Sequence, residues 1–160
     1  MLSLFIHSLT HPPYSLLLYF ICTTLLSPTL LAVGLFYIDR DINDGQRMKT
    51  QLWNDVKPII EEWTGKVLKE SSLYGIREYS NGSILATHVD RLPLVSSCII
   101  QVDQDLDEPW PIEVIAHNGK AYNVTMQPGD MVLYESHTVL HGRPFPLIGR
   151  NYANVFVHYM

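Results

Sequence analysis

Two histidines and one aspartate carry the clearest chemical signal in this 160-residue chain: His88, Asp90 and His141. His88 and Asp90 lie two residues apart at the end of a predicted strand, and side chains with that spacing point to one face. A second histidine from a distant strand would complete a set of two imidazoles and one carboxylate. That set leaves coordination positions on iron open for a co-substrate and dioxygen. The three residues therefore predict an Fe(II) centre.

Other residues of the same types have plainer interpretations. A His-x-Asp pair alone is more often a solvated strand end than a ligand pair. His137, four residues before His141, is the alternative second histidine. His117 is interpreted as a solvated loop histidine, and His158 as a core or rim histidine and not a ligand. Arg143 lies close enough to His141 to touch a substrate, although an exposed arginine without contacts is the commoner case.

The segment that begins at His141 resembles the prolyl 4-hydroxylase branch of the 2-oxoglutarate/Fe(II) oxygenases. It reads HGRPFPLIGR and then NYANVFVHY, beginning at His141. Members of that family carry His-x-Asp on the second jelly-roll strand and a distal histidine late in the fold. About nine or ten positions later, a basic residue pairs with the far carboxylate of 2-oxoglutarate. Arg150 follows His141 by nine residues, so the resemblance assigns it this role.

The resemblance extends from Leu73 to Tyr159 and implies further co-substrate contacts. Tyr79 lies nine residues before His88, where the family places a co-substrate tyrosine. Alternation along the last strand puts Asn154 on the same face as Arg150, and Gln101 is a weaker polar candidate. The implied cofactors are Fe(II), with 2-oxoglutarate as co-substrate and ascorbate as the reductant that rescues over-oxidised iron.

The resemblance implies oxidative decarboxylation of 2-oxoglutarate to succinate and carbon dioxide, coupled to hydroxylation of a C–H bond. The substrate is unidentified, with a peptidyl proline as one candidate, because the chain has no room for the substrate-binding domain of some family members. Two alternatives remain. A cupin-like metal enzyme would not use 2-oxoglutarate and would not need Arg150, whereas a degenerate jelly-roll binding module would gain nothing from three converging ligands.

The elements that must position these residues are mainly β. Apolar residues recur at helical spacing, which predicts a helix from about Gln46 towards Leu68, split or restarted by Pro58. The predicted apolar stripe consists of Leu52, Val56, Ile59, Ile60, Trp63 and Val67. Eight short strands are predicted after Glu70, and this count favours a double-stranded β-helix, or jelly roll. The predicted strands are Leu73–Tyr79, Ser83–His88, Ser96–Asp103, Ile112–Ala116, Lys120–Met126, Asp130–Glu135, Thr138–His141 and Asn151–Tyr159.

The predicted organisation is an apolar segment at residues 1–38 followed by one oxygenase domain at 39–160, with helical support at 44–70 and the jelly roll at 72–160. Residues 1–38 contain no Lys, Arg, Asp or Glu. The segment is interpreted as a membrane anchor or as a signal for the secretory pathway (endoplasmic reticulum). The alternatives are a buried apolar arm and an incorrect gene start. Without a targeting segment, the expected location of the protein is the cytoplasm. The net charge of −5 and the absence of a basic patch do not favour a nucleic-acid partner.

Overall fold

A computed structural model describes residues 19–21 and 42–160, which form one helix and ten strands. The helix, α1, spans Ile42–Thr64. The strands are β1 (Tyr19–Ile21), β2 (Glu70–Ser72), β3 (Ile76–Tyr79), β4 (Leu85–His88), β5 (Ser96–Leu106), β6 (Ile112–Ile115), β7 (Ala121–Val124), β8 (Met131–Tyr134), β9 (Leu140–Arg143) and β10 (Gly149–Tyr159). The part of the chain that is described is thus mainly β, with two antiparallel sheets and one helix, consistent with a jelly roll.

Helix α1 is a single helix, and the predicted interruption at Pro58 is wrong. Proline removes one backbone N–H from the helix, but Pro58 lies on the exposed side, where water can solvate the carbonyl that loses its partner. The helix ends at Thr64 because Gly65 adopts a φ of 66°, the left-handed conformation that terminates helices. Val67 consequently falls outside the helix and is 94% exposed, contrary to its predicted place on the apolar stripe.

The larger sheet has the order β1-β8-β5-β10-β2, and β3 also pairs with β10. Alternate residues of its long strands face opposite sides. One face packs on α1 and includes Cys98, Ile100, Val155 and Val157, which form a core with the helix residue Val56. Burying each such side chain stabilises the fold by about 1.5–3 kcal/mol. The other face of β10 presents polar side chains to the smaller sheet.

The smaller sheet has the order β4-β9-β6-β7, and it covers the polar face of the larger sheet. The β6–β7 hairpin is closed by a turn at Asn118-Gly119, in which Gly119 adopts a φ of 79°. Ile112 and Val114 from this sheet pack against Ile99 and Val132 from the larger one. This second apolar cluster lies between the sheets, beside the polar residues of the candidate site.

Strands overlap all eight predicted strand segments, and two further strands flank them. β2 is a short edge strand, and β1 places Tyr19–Ile21 antiparallel to Met131–Leu133 of β8. Part of the predicted N-terminal segment therefore adds an edge strand to the larger sheet. Among the described residues, no helix is long and apolar enough to cross a membrane. The remaining residues of the predicted anchor or signal, 1–18 and 22–38, lie outside the described residues.

Candidate active site

Strand pairing brings the two candidate histidines together. His88 on β4 lies directly opposite His141 on β9, and their ring centroids are 4.5 Å apart. Asp90 follows β4 and is held by the turn before β9, because its backbone N–H donates to the carbonyl of Ser136 at 2.7 Å. The alternative histidine, His137, hydrogen-bonds the backbone carbonyl of Asp90 through Nδ1 at 2.8 Å and so contacts the site without belonging to the ligand cluster.

Backbone carbonyls determine which nitrogen of each histidine carries a proton. Nδ1 of His88 lies 2.7 Å from the carbonyl of Ala86, and Nδ1 of His141 lies 2.9 Å from that of Val139. A carbonyl can only accept, so each Nδ1 must be the protonated donor. In the neutral rings, Nε2 then carries the lone pair and is the atom available to a metal.

These Nε2 atoms face one carboxylate oxygen. Oδ1 of Asp90 lies 3.5 Å from Nε2 of His88 and 3.9 Å from Nε2 of His141, and one ligand atom from each of the three residues lies within 4.8 Å of the others. Three acceptor atoms this close repel one another unless a cation or a proton lies between them. The structure thus brings together the three predicted ligand residues in an arrangement that suits a divalent ion.

Burial favours the neutral form of His141. Its side chain is 2% exposed, and this desolvation lowers its pKa, opposed by the hydrogen bond to Val139 and by the charge of Asp90. A neutral imidazole is the form that binds a metal. His88 is more open, with 38% of its side chain exposed, so the site faces solvent on the β4 side.

A second polar layer surrounds Asp90. Nδ1 of His158 lies 3.7 Å from Oδ2 of Asp90 and 2.6 Å from the hydroxyl of Ser97, which is itself 2.6 Å from the hydroxyl of Ser136. The ring of Tyr134 packs edge-on against His141 at 4.7 Å, and burial raises the pKa of this tyrosine. His158 thus lies beside the ligand cluster without belonging to it, in agreement with its interpretation as a core or rim histidine that is not a ligand.

A cavity of about 460 Å³ opens onto the three residues. Its wall also includes Tyr74 and Arg77, which the sequence analysis did not identify. Arg77 belongs to β3, and its guanidinium carbon lies 4.9 Å from the centre of the Tyr79 ring. Alternation from Tyr79 was a usable signal for Arg77, because the two are separated by two positions on one strand.

The three predicted polar contacts for the co-substrate lie deeper between the sheets. Asn154 on β10 is directly opposite Gln101 on β5, and both are fully buried. The side-chain amide of Asn154, Oε1 of Gln101 and the hydroxyl of Tyr79 have no hydrogen-bond partner among the described residues. Buried polar groups without partners are costly in free energy. Their presence together indicates an interior suited to a polar ligand.

The predicted placement of Arg150 on the same face of the last strand as Asn154, where it would reach the co-substrate between the sheets, is wrong. Its side chain is 61% exposed and forms ion pairs with Asp105 and Asp107, which raise its pKa. The physical reason is a register shift: Gly149 pairs with Leu106 and Asn151 with Asp105, so Arg150 is an extra residue in β10. Such a bulge redirects the side chain and breaks the alternation on which the prediction depended.

The arginine that does lie between the sheets is Arg143, two residues after His141 on β9. It is 1% exposed, and the interpretation of it as an exposed residue without contacts is wrong. Its guanidinium donates hydrogen bonds to the carbonyl of Trp110 and to the hydroxyl of Tyr152. Because β9 extends beyond His141, strand alternation directs Arg143 inward, on the same side as the histidine.

Comparisons with known proteins support the resemblance at the level of the fold. No family model and no curated protein sequence matches the chain. Among solved structures, a 2OG-Fe(II) oxygenase family oxidoreductase from Burkholderia pseudomallei matches with a TM-score of 0.64 and 11% identity, over 72% of this chain and 57% of that one. The chain thus spans little more than half of that protein's length.

Two prolyl hydroxylases match over more of their length. A prolyl-4-hydroxylase from Pseudomonas putida has a TM-score of 0.63 and 12% identity, over 89% of this chain and 91% of that one. The viral collagen prolyl hydroxylase of Paramecium Bursaria Chlorella virus-1 has a TM-score of 0.56 and 12% identity, over 98% and 97%. The chain has the fold of 2OG-Fe(II) oxygenases and resembles the prolyl 4-hydroxylase-like members among them.

Proposed function

We propose that this chain is an Fe(II)- and 2-oxoglutarate-dependent oxygenase whose iron is bound by His88, Asp90 and His141. The observation that carries the proposal is that one possible ligand atom from each of the three residues lies within 4.8 Å of the others. Both histidine Nδ1 atoms are already hydrogen-bonded to backbone carbonyls, so each Nε2 is the atom available to a metal. Two imidazoles and one carboxylate suit Fe(II) and leave positions open for other ligands. The fold shared with the oxygenases above agrees with this chemistry.

When bound, iron and 2-oxoglutarate supply the oxidising chemistry, in which the keto acid is decarboxylated to succinate and a substrate C–H bond is hydroxylated. The protein's own contribution is to hold and orient. Ala86 and Val139 keep the two imidazoles in the metal-binding tautomer, and the turn at Ser136 fixes the position of Asp90. Tyr134 and the buried apolar cluster restrict water on the His141 side.

The substrate proposal is a C–H bond of a peptide, with peptidyl proline as the first candidate. It is supported by the two prolyl hydroxylases that share the fold, and by the open side of the cavity. Tyr74 lines the cavity and is 77% exposed, which would allow an extended chain to lie across the opening. Ascorbate dependence belongs to the same proposal and is tested by omitting ascorbate from the assay below.

The experiment is to incubate the purified chain with Fe(II), ascorbate and carboxyl-labelled 2-oxoglutarate, and to measure released carbon dioxide and succinate with and without proline-rich peptides. We expect slow uncoupled turnover in the wild type and none in D90A or H141A. H117A is the matched control, because His117 is an exposed histidine paired with Glu135 outside the cluster. Full turnover in D90A would contradict the proposed iron site. Metal binding without any turnover would favour the binding module.

A further inference from the structure

Arg143 is a buried cation enclosed by aromatic rings. Its guanidinium carbon lies 4.7 Å from the centre of the Trp110 ring and 4.4 Å from that of Tyr152, and Tyr79 packs edge-on against Trp110 at 5.0 Å. Aromatic faces attract a guanidinium, and such contacts are strongest where water is excluded. The cage therefore holds the charge in one place.

The charge of Arg143 is nevertheless unbalanced. Within residues 19–21 and 42–160, its partners are aromatic rings, one carbonyl and one phenol, and no carboxylate pairs with it. Burial lowers the pKa of this arginine. A buried charge without a counter-charge is costly, so an anionic partner would stabilise it strongly. Its hydrogen bonds to Trp110 and Tyr152 use two of the five N–H groups of a guanidinium, which leaves donors for a carboxylate.

Arg143 lies further along β9 than the candidate ligand His141, and alternation puts both side chains on the same inward side. His141 and Arg143 are two residues apart on β9, about 6.6 Å along the strand. On the facing sheet, Asn154 is paired with Gln101 and lies along β10 between His158 and Tyr152, which contacts Arg143. The side-chain amide of Asn154 and Oε1 of Gln101 have no hydrogen-bond partner among the described residues, whereas Nε2 of Gln101 donates to the carbonyl of Asp103. The unpartnered hydroxyl of Tyr79 is opposite Tyr152. Unpartnered polar groups thus line the interval between the ligand cluster and the cation.

We propose that Arg143, and not Arg150, binds the remote carboxylate of the 2-oxo diacid whose other end chelates the metal. This inference depends on the proposed function. The diacid would extend from the ligand cluster towards the Trp110–Tyr152 cage, with Asn154 and Gln101 beside its carbon chain. Arg143 acts here as a binding residue that selects a diacid over a monoacid.

Arg77 is the other cation that a diacid could reach. It lines the cavity, but its side chain is exposed to solvent and lies over the Tyr79 ring. A carboxylate bound there would remain hydrated and would gain less from the charge. Arg77 therefore serves as a competing assignment in the experiment, and Arg150 as the matched exposed control.

The test compares two ligands on the Mn(II)-loaded chain, because Mn(II) accepts the same nitrogen and oxygen ligands as Fe(II). The dissociation constants of 2-oxoglutarate and of 2-oxopentanoate are measured by calorimetry. The second ligand has the same 2-oxo acid head and chain length but ends in a methyl group. We expect the wild type to prefer 2-oxoglutarate by about 10- to 100-fold, the range for one charge-assisted contact. This preference should fall to about one in R143M and persist in R150M and R77M.

The outcomes separate the two proposals. If neither keto acid binds the metal-loaded wild type, the proposed function fails and the assignment of Arg143 fails with it. If both bind the wild type equally, or if the preference survives in R143M or disappears in R77M or R150M, the assignment of Arg143 is wrong while the oxygenase proposal stands.

A second measurement leaves Arg143 in place and covers the case in which R143M does not fold. The chain has three tryptophans, so the double variant W53F/W63F leaves Trp110 as the sole tryptophan. Both replaced indoles have a buried N–H without a partner, which phenylalanine removes. A carboxylate at Arg143 should shift the emission of Trp110 with 2-oxoglutarate and not with 2-oxopentanoate. Equal shifts with both ligands, or no shift with either, would overturn the assignment.

Discussion

Gly142 belongs to β9, next to the candidate ligand His141, and packs so closely on the backbone of β4 that it leaves no room for a side chain. An added Cβ would lie 2.8 Å from the carbonyl oxygen of Leu85, 2.8 Å from Cα of Thr87 and 2.9 Å from its nitrogen. All three atoms are backbone of β4, so no side-chain rotation can relieve the clash. Ordinary Cβ contacts begin at 3.4 Å, so β4 must move from β9 by about 0.6 Å in G142A.

That movement acts directly on the site, because His88 and His141 are a cross-strand pair on these two strands. We expect overpacking to cost G142A about 1–3 kcal/mol of unfolding free energy. Metal sites tolerate displacements of only about 0.2 Å, and we expect Mn(II) affinity to fall by about 10-fold or more. Urea denaturation measures the first effect, and calorimetric titration with Mn(II) measures the second.

Gly119 provides the matched control. It adopts a φ of 79° in the β6–β7 turn, and a Cβ there would have nothing within 4 Å. G119A should therefore lose about 1 kcal/mol through backbone strain and retain its metal affinity. If G142A binds Mn(II) as tightly as the wild type, or if G119A weakens binding equally, the reasoning that links strand separation to the metal site is refuted.

Three further outcomes are expected. H158N should weaken Mn(II) binding by about 10- to 100-fold while leaving the melting temperature within a few degrees of the wild type, because His158 supports Asp90 without being a ligand; unchanged affinity would contradict this role. I60A should lose roughly 2–5 kcal/mol in urea denaturation and keep its metal affinity when folded, because Ile60 is fully buried in the core between α1 and the sheet. Removal of residues 1–38 should leave metal binding intact. It should also expose the edge of β8 that pairs with Tyr19–Ile21, so we expect the truncated chain to self-associate in gel filtration. Loss of the folded state would show instead that the segment is essential to the core.

The sequence predicted the candidate ligands because their geometry depends on local rules. His88 and Asp90 follow from their spacing of two residues, whereas the choice of His141 over His137 depends on the resemblance, through its spacing from Arg150. Asn154 was assigned to the co-substrate pocket by alternation along the last strand, and Gln101 was a weaker polar candidate; both side chains are buried. The helical spacing of Leu52, Val56 and Ile60 also predicted correctly which side of the helix is apolar. These residues are buried in the core against the larger sheet.

The two arginines could not be assigned in this way. One extra residue in β10 reverses the direction of Arg150, and a bulge of this kind depends on how β10 pairs with β5, which lies some 45 residues earlier. Arg143 was misjudged because β9 was expected to end at His141, whereas it continues to Arg143. The pairing of Tyr19–Ile21 with β8 is also a long-range contact, and no local pattern indicates it.

The most direct test of the central claim is the position of the iron itself. Crystals loaded with Fe(II) without oxygen, and measured at the iron absorption edge, should show one strong anomalous peak. We predict that it lies between Nε2 of His88, Oδ1 of Asp90 and Nε2 of His141. A peak at His137, at the exposed His117–Glu135 pair, or at no fixed position would contradict the proposed metal site and the oxygenase function that depends on it.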